Sequence, residues 1–171
     1  MTEIETKALA ILETFNLDVF PIDVKKLAEK LDLTILEEDF EDAIAGLLYY
    51  KNGSGYIGVN KSHHDNRQRF TIGHEIGHHA LHHDINELHW DKKSFVFYRA
   101  DNNSPDKKQE SEANQFSAAL LMPKTMLKRF IDSENIDLND EIHIQKLSIK
   151  LKVSQQALTF RLLNLGMISY N

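Results

Sequence analysis

Five residues near the middle of the chain, His74-Glu75-Ile76-Gly77-His78, form an H-E-x-x-H string. Residues four apart lie on the same face of an α-helix, so His74 and His78 would direct two imidazoles to one point. Glu75 lies beside them. This pattern is typical of a helix that binds a catalytic zinc ion and places a carboxylate next to the reacting water. Eight of the nine histidines lie between residues 63 and 89, so a loose His-rich surface is the alternative.

A catalytic zinc ion needs a third protein ligand, and a later helical stretch offers one. Glu110 and Asn114 are four residues apart there, so Glu110 could bind the metal while Asn114 accepts from the far nitrogen of a zinc-bound histidine. Glu112 is the competitor, but it is rotated by about 200° from Glu110 around the helix, so only one of the two can face the metal. The buried side of this helix favours Glu110. It is marked by Ala113, Phe116 and Leu120.

Other polar residues could complete the site or assist the reaction. His82 continues the histidine stripe, but three residues along a straight helix spread over about 12 Å, too far to share one zinc ion. Asp84 is a conceivable oxygen ligand. Stabilisation of a developing oxyanion needs a hydrogen-bond donor, and Tyr98, Arg99 and His82 are the candidates.

Composition limits the class of protein. The 171 residues include no cysteine, which excludes disulfides, a thiol nucleophile and cysteine-bound zinc. The acidic N-terminal stretch has no apolar core, and no apolar run approaches the roughly 18 residues of a membrane span, so we expect a cytoplasmic protein. The formal net charge of −6 argues against a chain that is basic throughout and coats nucleic acid.

The periodicity of apolar residues predicts an α+β fold. We expect a small antiparallel or mixed sheet packed on two active-site helices, followed by a helical C-terminal segment. Asn52-Gly53 suits a hairpin turn. Ser62 with Asp65 suggests a helix-capping pair. Helices are predicted over residues 3–15, 23–31, 63–82, 106–122, 123–134, 142–151 and 155–165, and strands over 33–36, 44–50, 56–60 and 94–99.

Two domains are expected: one over residues 1–122 that contains both site helices, and a helix-turn-helix-like subdomain over residues 123–171 packed on it. Residues 143–171 contain four Lys or Arg and no acid, so DNA contact through residues 143–166 is one hypothesis. The simpler interpretation, in which the apolar residues of these helices form a packed core, is favoured. A DNA-binding or regulatory zinc protein without proteolysis, as a toxin–antitoxin or repressor partner, is the alternative function.

Two longer motifs carry a family resemblance. They are Arg69-Phe-Thr-x-x-His-Glu-x-Gly-His-x-x-Leu-His82 and Glu110-x-x-Ala-Asn-x-Phe-x-Ala-x-Leu-Leu-Met-Pro123. Together they resemble the ImmA/IrrE family of bacterial and phage metallopeptidases. The resemblance extends to residues 24–31, 55–60 and 153–166. Two positions depart from the family pattern: Gly73 and Ser117 stand where alanine is usual.

The resemblance implies that residues 1–122 form a zincin-like metallopeptidase domain. It also implies a gluzincin-like site with one zinc ion on His74, His78 and Glu110, and with Glu75 as the catalytic base. It also implies a substrate class. Members cleave helix-turn-helix transcriptional repressors encoded nearby and so relieve repression in mobile elements, phages or stress responses. In some members a helix-turn-helix-like segment follows the peptidase part, as the helical C-terminal segment does here.

Overall fold

A computed structural model describes residues 2–82, 89–92 and 105–169. Helices and a small sheet share this part of the chain, which confirms the predicted α+β class. The helices are α1 (Glu3–Thr14), α2 (Val24–Lys30), α3 (Asp65–Ala80), α4 (Pro105–Leu121), α5 (Lys124–Ser133), α6 (Glu141–Leu151) and α7 (Gln155–Asn164). The strands are β1 (Leu33–Glu38), β2 (Ile44–Lys51), β3 (Ser54–Asn60) and β4 (His89–Lys92).

The described strands form one mixed sheet in the order β1-β3-β2-β4. Strand β1 runs parallel to β3, whereas β2 is antiparallel to both β3 and β4. The β2–β3 hairpin turns through Asn52 at φ 52° and Gly53 at φ 80°. Two successive left-handed residues give the turn type whose twist matches a hairpin, which is why Asn-Gly predicted it correctly.

One face of the sheet packs against α3. Leu48, Ile57 and Val59 are fully buried on this face. Gly46 of β2 lies so close to α3 that an added Cβ would collide with the Thr71 methyl group. A side chain at residue 46 would therefore push the helix away, so this glycine is needed for close approach of sheet and helix.

Helix α3 starts later than predicted, and the predicted Ser62 cap is wrong. The Ser62 hydroxyl and backbone N–H both donate to the side-chain oxygen of Asn60, at 2.8 and 3.0 Å, so Ser62 belongs to the preceding loop. His64 is the cap instead, because its Nδ1 accepts from the backbone N–H of Asn66 at 3.2 Å. The helix ends at Ala80.

Helices α6 and α7 are joined by a short turn, and the helix-turn-helix-like character of this segment stays a prediction. Lys152 adopts a left-handed conformation between them, and Ser154 caps α7 by accepting from the Ala157 N–H at 3.1 Å. Most of the large apolar residues of the pair are buried, although Ile142 and Ile149 of α6 are exposed. Buried side chains include Leu147, Leu151, Val153, Leu158 and Leu162. This burial agrees with a packed helical core, while DNA contact through residues 143–166 stays a prediction.

The chain divides into two compact units. One contains residues 1–23 together with residues 118–171, and the other contains residues 24–117. Helix α4 crosses from one unit into the other in its last turn. The division into functional domains at residue 122 stays a prediction. Among the described residues, no helix is long and apolar enough to cross a membrane.

One strand was missed and another prediction lies outside the described residues. Strand β4 pairs with β2 over residues 89–92, with a register shift between Ile44 and Gly46. Its sequence, His-Trp-Asp-Lys, does not alternate regularly between apolar and polar residues, so no local pattern predicted this strand. The strand predicted over residues 94–99 lies outside the described residues.

Candidate metal centre

The two histidines of the H-E-x-x-H string lie on one face of α3. Both side chains are only 1% exposed. Their rings meet edge to face, with centroids 4.6 Å apart and planes at 69°. The Nε2 atoms of His74 and His78 are 2.9 Å apart. The helical spacing thus brings two ring nitrogens to one point, as predicted from the sequence.

Helix α4 adds a carboxylate to this pair. Glu110 Oε2 lies 3.3 Å from Nε2 of His74, and Glu110 Oε1 lies 3.3 Å from Nε2 of His78. One ligand atom from each of the three residues lies within 4.8 Å of the other two. Among the residues that the structure describes, this is the one group of three or more His, Asp or Glu side chains that could hold a metal ion.

Asn114 fixes the orientation of one histidine. Its side-chain oxygen lies 3.0 Å from Nδ1 of His74. An amide oxygen only accepts hydrogen bonds, so Nδ1 carries the ring proton. The Nε2 atom then keeps its lone pair and points it toward His78 and Glu110. This is the arrangement by which an outer hydrogen bond prepares a histidine to bind a metal.

The competing glutamate lies away from this group. Glu112 Oε1 is 3.7 Å from Nζ of Lys108, a pair of opposite charges one turn apart on α4. Such pairs stabilise exposed helix surfaces by small amounts. The structure therefore brings Glu110 to the histidines and leaves Glu112 at the surface of the helix.

Two glycines on α3 let α4 approach closely. A Cβ at Gly77 would lie 3.2 Å from the Ala113 backbone and from Cβ of Phe116. A Cβ at Gly73 would lie 2.6 Å from the Ser117 hydroxyl, which donates to the Phe70 carbonyl at 2.8 Å. The two positions that depart from the family pattern, 73 and 117, are therefore in direct contact.

Glu75 lies on the side of α3 that faces the sheet. Its side chain is fully buried. A Cβ at Gly46 would be 3.6 Å from Oε1 of Glu75. The carboxylate is thus held between the metal-facing side of α3 and strand β2, one residue along from His74. A base in that position can exchange a proton with a reactant bound near the histidines.

The donor set suits zinc. Two imidazole nitrogens and one carboxylate are the ligands of a common class of catalytic zinc sites, which keep a fourth position open. Ligand atoms about 2.0–2.1 Å from a tetrahedral zinc ion are about 3.3 Å from one another. The two observed histidine–glutamate separations are 3.3 Å, and the two nitrogens are 2.9 Å apart. The residues present therefore fit a zinc ion.

His79 and His82 follow the H-E-x-x-H string but do not belong to the group that could hold a metal ion. His82 is exposed, has a left-handed backbone at φ 55°, and stands just beyond the end of α3. His79 Nδ1 lies 2.6 Å from the Tyr50 hydroxyl, a contact that the sequence did not reveal. Burial, with a smaller effect from His82, lowers the pKa of His79, so its neutral ring accepts the Tyr50 O–H.

Asp84, Tyr98 and Arg99 lie outside the described residues.

Comparison with known proteins agrees with the sequence resemblance. The family model for Peptidase_M78, described as an IrrE N-terminal-like domain, matches residues 28–163. An uncharacterized immunity region protein 2 of Bacillus phage phi105 is 26% identical over 109 residues, which are 64% of this chain and 64% of that protein. The chain therefore covers less than two thirds of this relative.

A solved structure shares the fold. It is described as a Mycobacterium tuberculosis transcriptional regulator, and it superimposes with a TM-score of 0.61 at 14% identity. The match covers 95% of this chain but only 47% of that one. The predicted ImmA/IrrE resemblance is confirmed by the family match, which spans most of the sequence. The chain belongs to the Peptidase_M78 family, with an IrrE N-terminal-like domain over residues 28–163.

Proposed function

We propose that this protein is a zinc-dependent endopeptidase with His74, His78 and Glu110 as metal ligands and Glu75 as the catalytic base. The observation that carries the proposal is the convergence of two Nε2 atoms and one carboxylate, with separations of 2.9 and 3.3 Å, beside a buried glutamate. Membership of a family of metallopeptidases supports it.

The chemistry proposed is hydrolysis of a peptide bond. A zinc ion, when bound, supplies Lewis acidity toward water and the peptide carbonyl. Glu75 accepts a proton on a carboxylate oxygen as water attacks the carbonyl carbon, and it then delivers that proton to the leaving amine. Asn114 holds His74 in the tautomer that leaves Nε2 unprotonated.

The proposed substrate is a helix-turn-helix transcriptional repressor, whose cleavage relieves repression in a mobile element, a phage or a stress response. The family supports this substrate class, and so does a relative from a phage whose name places it in an immunity region.

The test of catalysis co-expresses the protein with a helix-turn-helix repressor, sought first in the neighbouring open reading frame. We expect the wild type to cleave the repressor and Glu75→Gln to leave it intact, with about one equivalent of zinc bound in both. Gel mobility and mass spectrometry of the repressor would locate the cut. Cleavage by Glu75→Gln at the wild-type rate would overturn the assignment of the base.

The metal ligands are tested separately on purified protein. Glu110→Gln should lower zinc affinity strongly, because it replaces a charged ligand by a neutral amide. Glu112→Gln is the matched control two residues away and should bind zinc as the wild type does. Chelator competition measures both. Equal zinc affinity of the two variants would contradict the proposed ligand set, whatever the outcome with the repressor.

A further inference from the structure

Strand β1 is terminal in the described sheet. It pairs with β3 in an unbroken parallel register, from Leu33 opposite Gly55 to Glu38 opposite Asn60. Among the described strands, none pairs with its other edge. Proteins usually block such edges with charged side chains, above all lysine, with proline or with a bulge. The sequence of β1, Leu-Thr-Ile-Leu-Glu-Glu, has no lysine or proline, its register with β3 has no bulge, and its two charged residues lie at its end, so residues 33–36 carry none of these features.

A groove of about 880 Å³ lies at this strand. We call it the β1 groove. It is lined by side chains from α2, from β1 and from the start of β3. They include Lys25, Glu29, Asp32, Thr34, Ile35 and Tyr56. Its volume is within the range of small-ligand and peptide sites.

The groove has an aromatic floor. Tyr56 is the register partner of Thr34, and its ring stacks on Tyr49 with centroids 5.0 Å apart and planes at 13°. Thr34 is exposed, while Tyr56 is half-buried. The two side chains thus lie next to each other on one face of the sheet, beside the open edge. A side chain of an added strand could pack against this face.

The charge of the groove is acidic. Lys25 is paired with Glu37, with Nζ 2.6 Å from Oε1, and this ammonium group lowers the pKa of the Glu37 carboxyl. Glu29 and Asp32 also line the groove, and both are exposed. Neither forms an ion pair with any residue that the structure describes. Two uncompensated carboxylates therefore face whatever occupies the groove.

We propose that the β1 groove binds an extended, basic segment of a partner protein, which adds to the sheet as a strand beside β1. Main-chain hydrogen bonds to the open edge would supply affinity, as in other cases of strand addition. Glu29 and Asp32 select lysine or arginine side chains through complementary charge. DNA-binding proteins, the substrate class proposed above, are rich in basic segments. Binding at this groove does not require catalysis.

The test uses a synthetic probe and the full, zinc-loaded chain carrying Glu75→Gln, so that the probe is not cut. The probe is a capped peptide of about ten alternating lysine and valine residues, long enough for one strand. Two peptides serve as controls: one with glutamate in place of lysine, and one with the lysine–valine sequence methylated on every second backbone nitrogen. Amide signals of the labelled protein are followed by NMR.

We expect the lysine–valine peptide to shift the amide signals of residues 33–38 saturably, and the two control peptides to leave them unchanged. Glu29→Lys should weaken binding by roughly three- to tenfold, the scale of one exposed charge reversed. Glu13→Lys makes the same charge change on an exposed position of α1 and should leave the affinity unaltered.

Three outcomes would overturn the proposal. In the first, no signal of residues 33–38 moves at millimolar peptide. In the second, only signals of α3 and α4 move, so that the peptide binds at the metal centre and not at β1. In the third, the β1 signals move with protein concentration and without peptide, which would make a second copy of the chain the occupant.

Discussion

The His74–Asn114 contact determines which nitrogen of His74 is available to a metal. The bond between Nδ1 and the amide oxygen is 3.0 Å long. Without it, the ring could carry its proton on Nε2 and lose its ligand atom. We expect Asn114→Ala to lower zinc affinity by about 10- to 100-fold, the usual effect of removing such a partner.

Chelator competition measures this change. Gln115→Ala is the control, because Gln115 is the next residue on α4 and, among the described residues, its amide bonds only to the Ser111 hydroxyl, at 3.3 Å. If Asn114→Ala and Gln115→Ala bind zinc equally well, the contact does not orient His74.

At the scale of residues, helical spacing made much of the candidate site predictable. The angle between Glu110 and Glu112 on a helix is fixed, so the buried side of α4 favoured Glu110, and the structure brings Glu110 to the histidines. The contact of Tyr50 with His79 was not predictable. It joins a strand to a helix across 29 residues of sequence, and no local pattern encodes such a pairing.

At the scale of elements, α3 and α4 are held together by a matched pair of unusual residues. A Cβ at Gly73 would lie 2.6 Å from the Ser117 hydroxyl, and this hydroxyl is fixed by its bond to Phe70. We expect Gly73→Ala to destabilise the protein by about 1–3 kcal/mol, because the added methyl group overpacks the interface. Ser117→Ala should cost about 1 kcal/mol through loss of the hydrogen bond.

The double variant shows whether residues 73 and 117 compensate each other or act independently. Gly73→Ala with Ser117→Ala places alanine, the residue usual in the resembled family, at both positions. It removes the collision between the new methyl group and the Ser117 hydroxyl. Alanine is also a better helix former than glycine by about 1 kcal/mol. Its free energy of unfolding in denaturant should therefore lie close to that of the wild type. Additive losses, with no coupling between the sites, would show that the two residues do not compensate each other.

The segment before α3 adds a pH dependence to stability. Burial, helped by the charge of Arg67, lowers the pKa of His63 below 6.5, against an opposing effect of Asp42. The folded protein then binds this proton less readily than the unfolded chain does. The contribution of His63 to the free energy of unfolding is therefore fully present above pH 6.5, and it falls as the pH drops from there through the lowered pKa.

Replacing His63 removes this contribution. We expect His63→Gln to lose less unfolding free energy than the wild type between pH 7.5 and pH 5.5, as measured in denaturant on zinc-free protein. The two proteins differ at this one residue, so the difference between their losses reports the contribution of His63. Identical losses over this range would mean that His63 titrates alike in the folded and unfolded states.

Elements with strong periodicity were predicted well, and elements defined by distant partners were not. The seven described helices and the Asn-Gly hairpin follow from local signals. Strands β1 and β3 pair in parallel although β2 lies between them in the sequence. Local residue patterns do not predict such a pairing. The sequence predicted Ser62 as the cap of α3, but the Ser62 hydroxyl donates its hydrogen bond to Asn60 instead.

At the scale of the whole molecule, one buried ion pair joins residues from the two ends of the sequence. Arg161 Nη1 lies 2.8 Å from Glu5 Oε1, with the side chains 8% and 12% exposed, and Arg161 Nε donates to the Met122 carbonyl at 3.1 Å. Removing one partner leaves the other charge buried without compensation. We expect Glu5→Gln and Arg161→Met each to cost about 3–5 kcal/mol of stability.

Hydrogen exchange locates this loss. Amides of α1 and α7 should exchange faster in both variants, while zinc affinity remains that of the wild type, because all proposed ligands lie in the unit of residues 24–117. Arg129→Met removes an exposed arginine and should be near neutral. A wild-type exchange rate in α1 and α7 of the Glu5 variant would contradict a stabilising role for the pair.

The division of the chain into units has a consequence for the order in which the protein can form during synthesis. Residues 24–117 leave the ribosome before residues 118–171, so His74, His78, Glu110 and Asn114 are all present while the other unit still lacks most of its chain. Glu5 is made before this unit but must wait for Arg161, which is made after it. The proposed ligands are therefore all available to a metal ion before α1 can meet its charged partner.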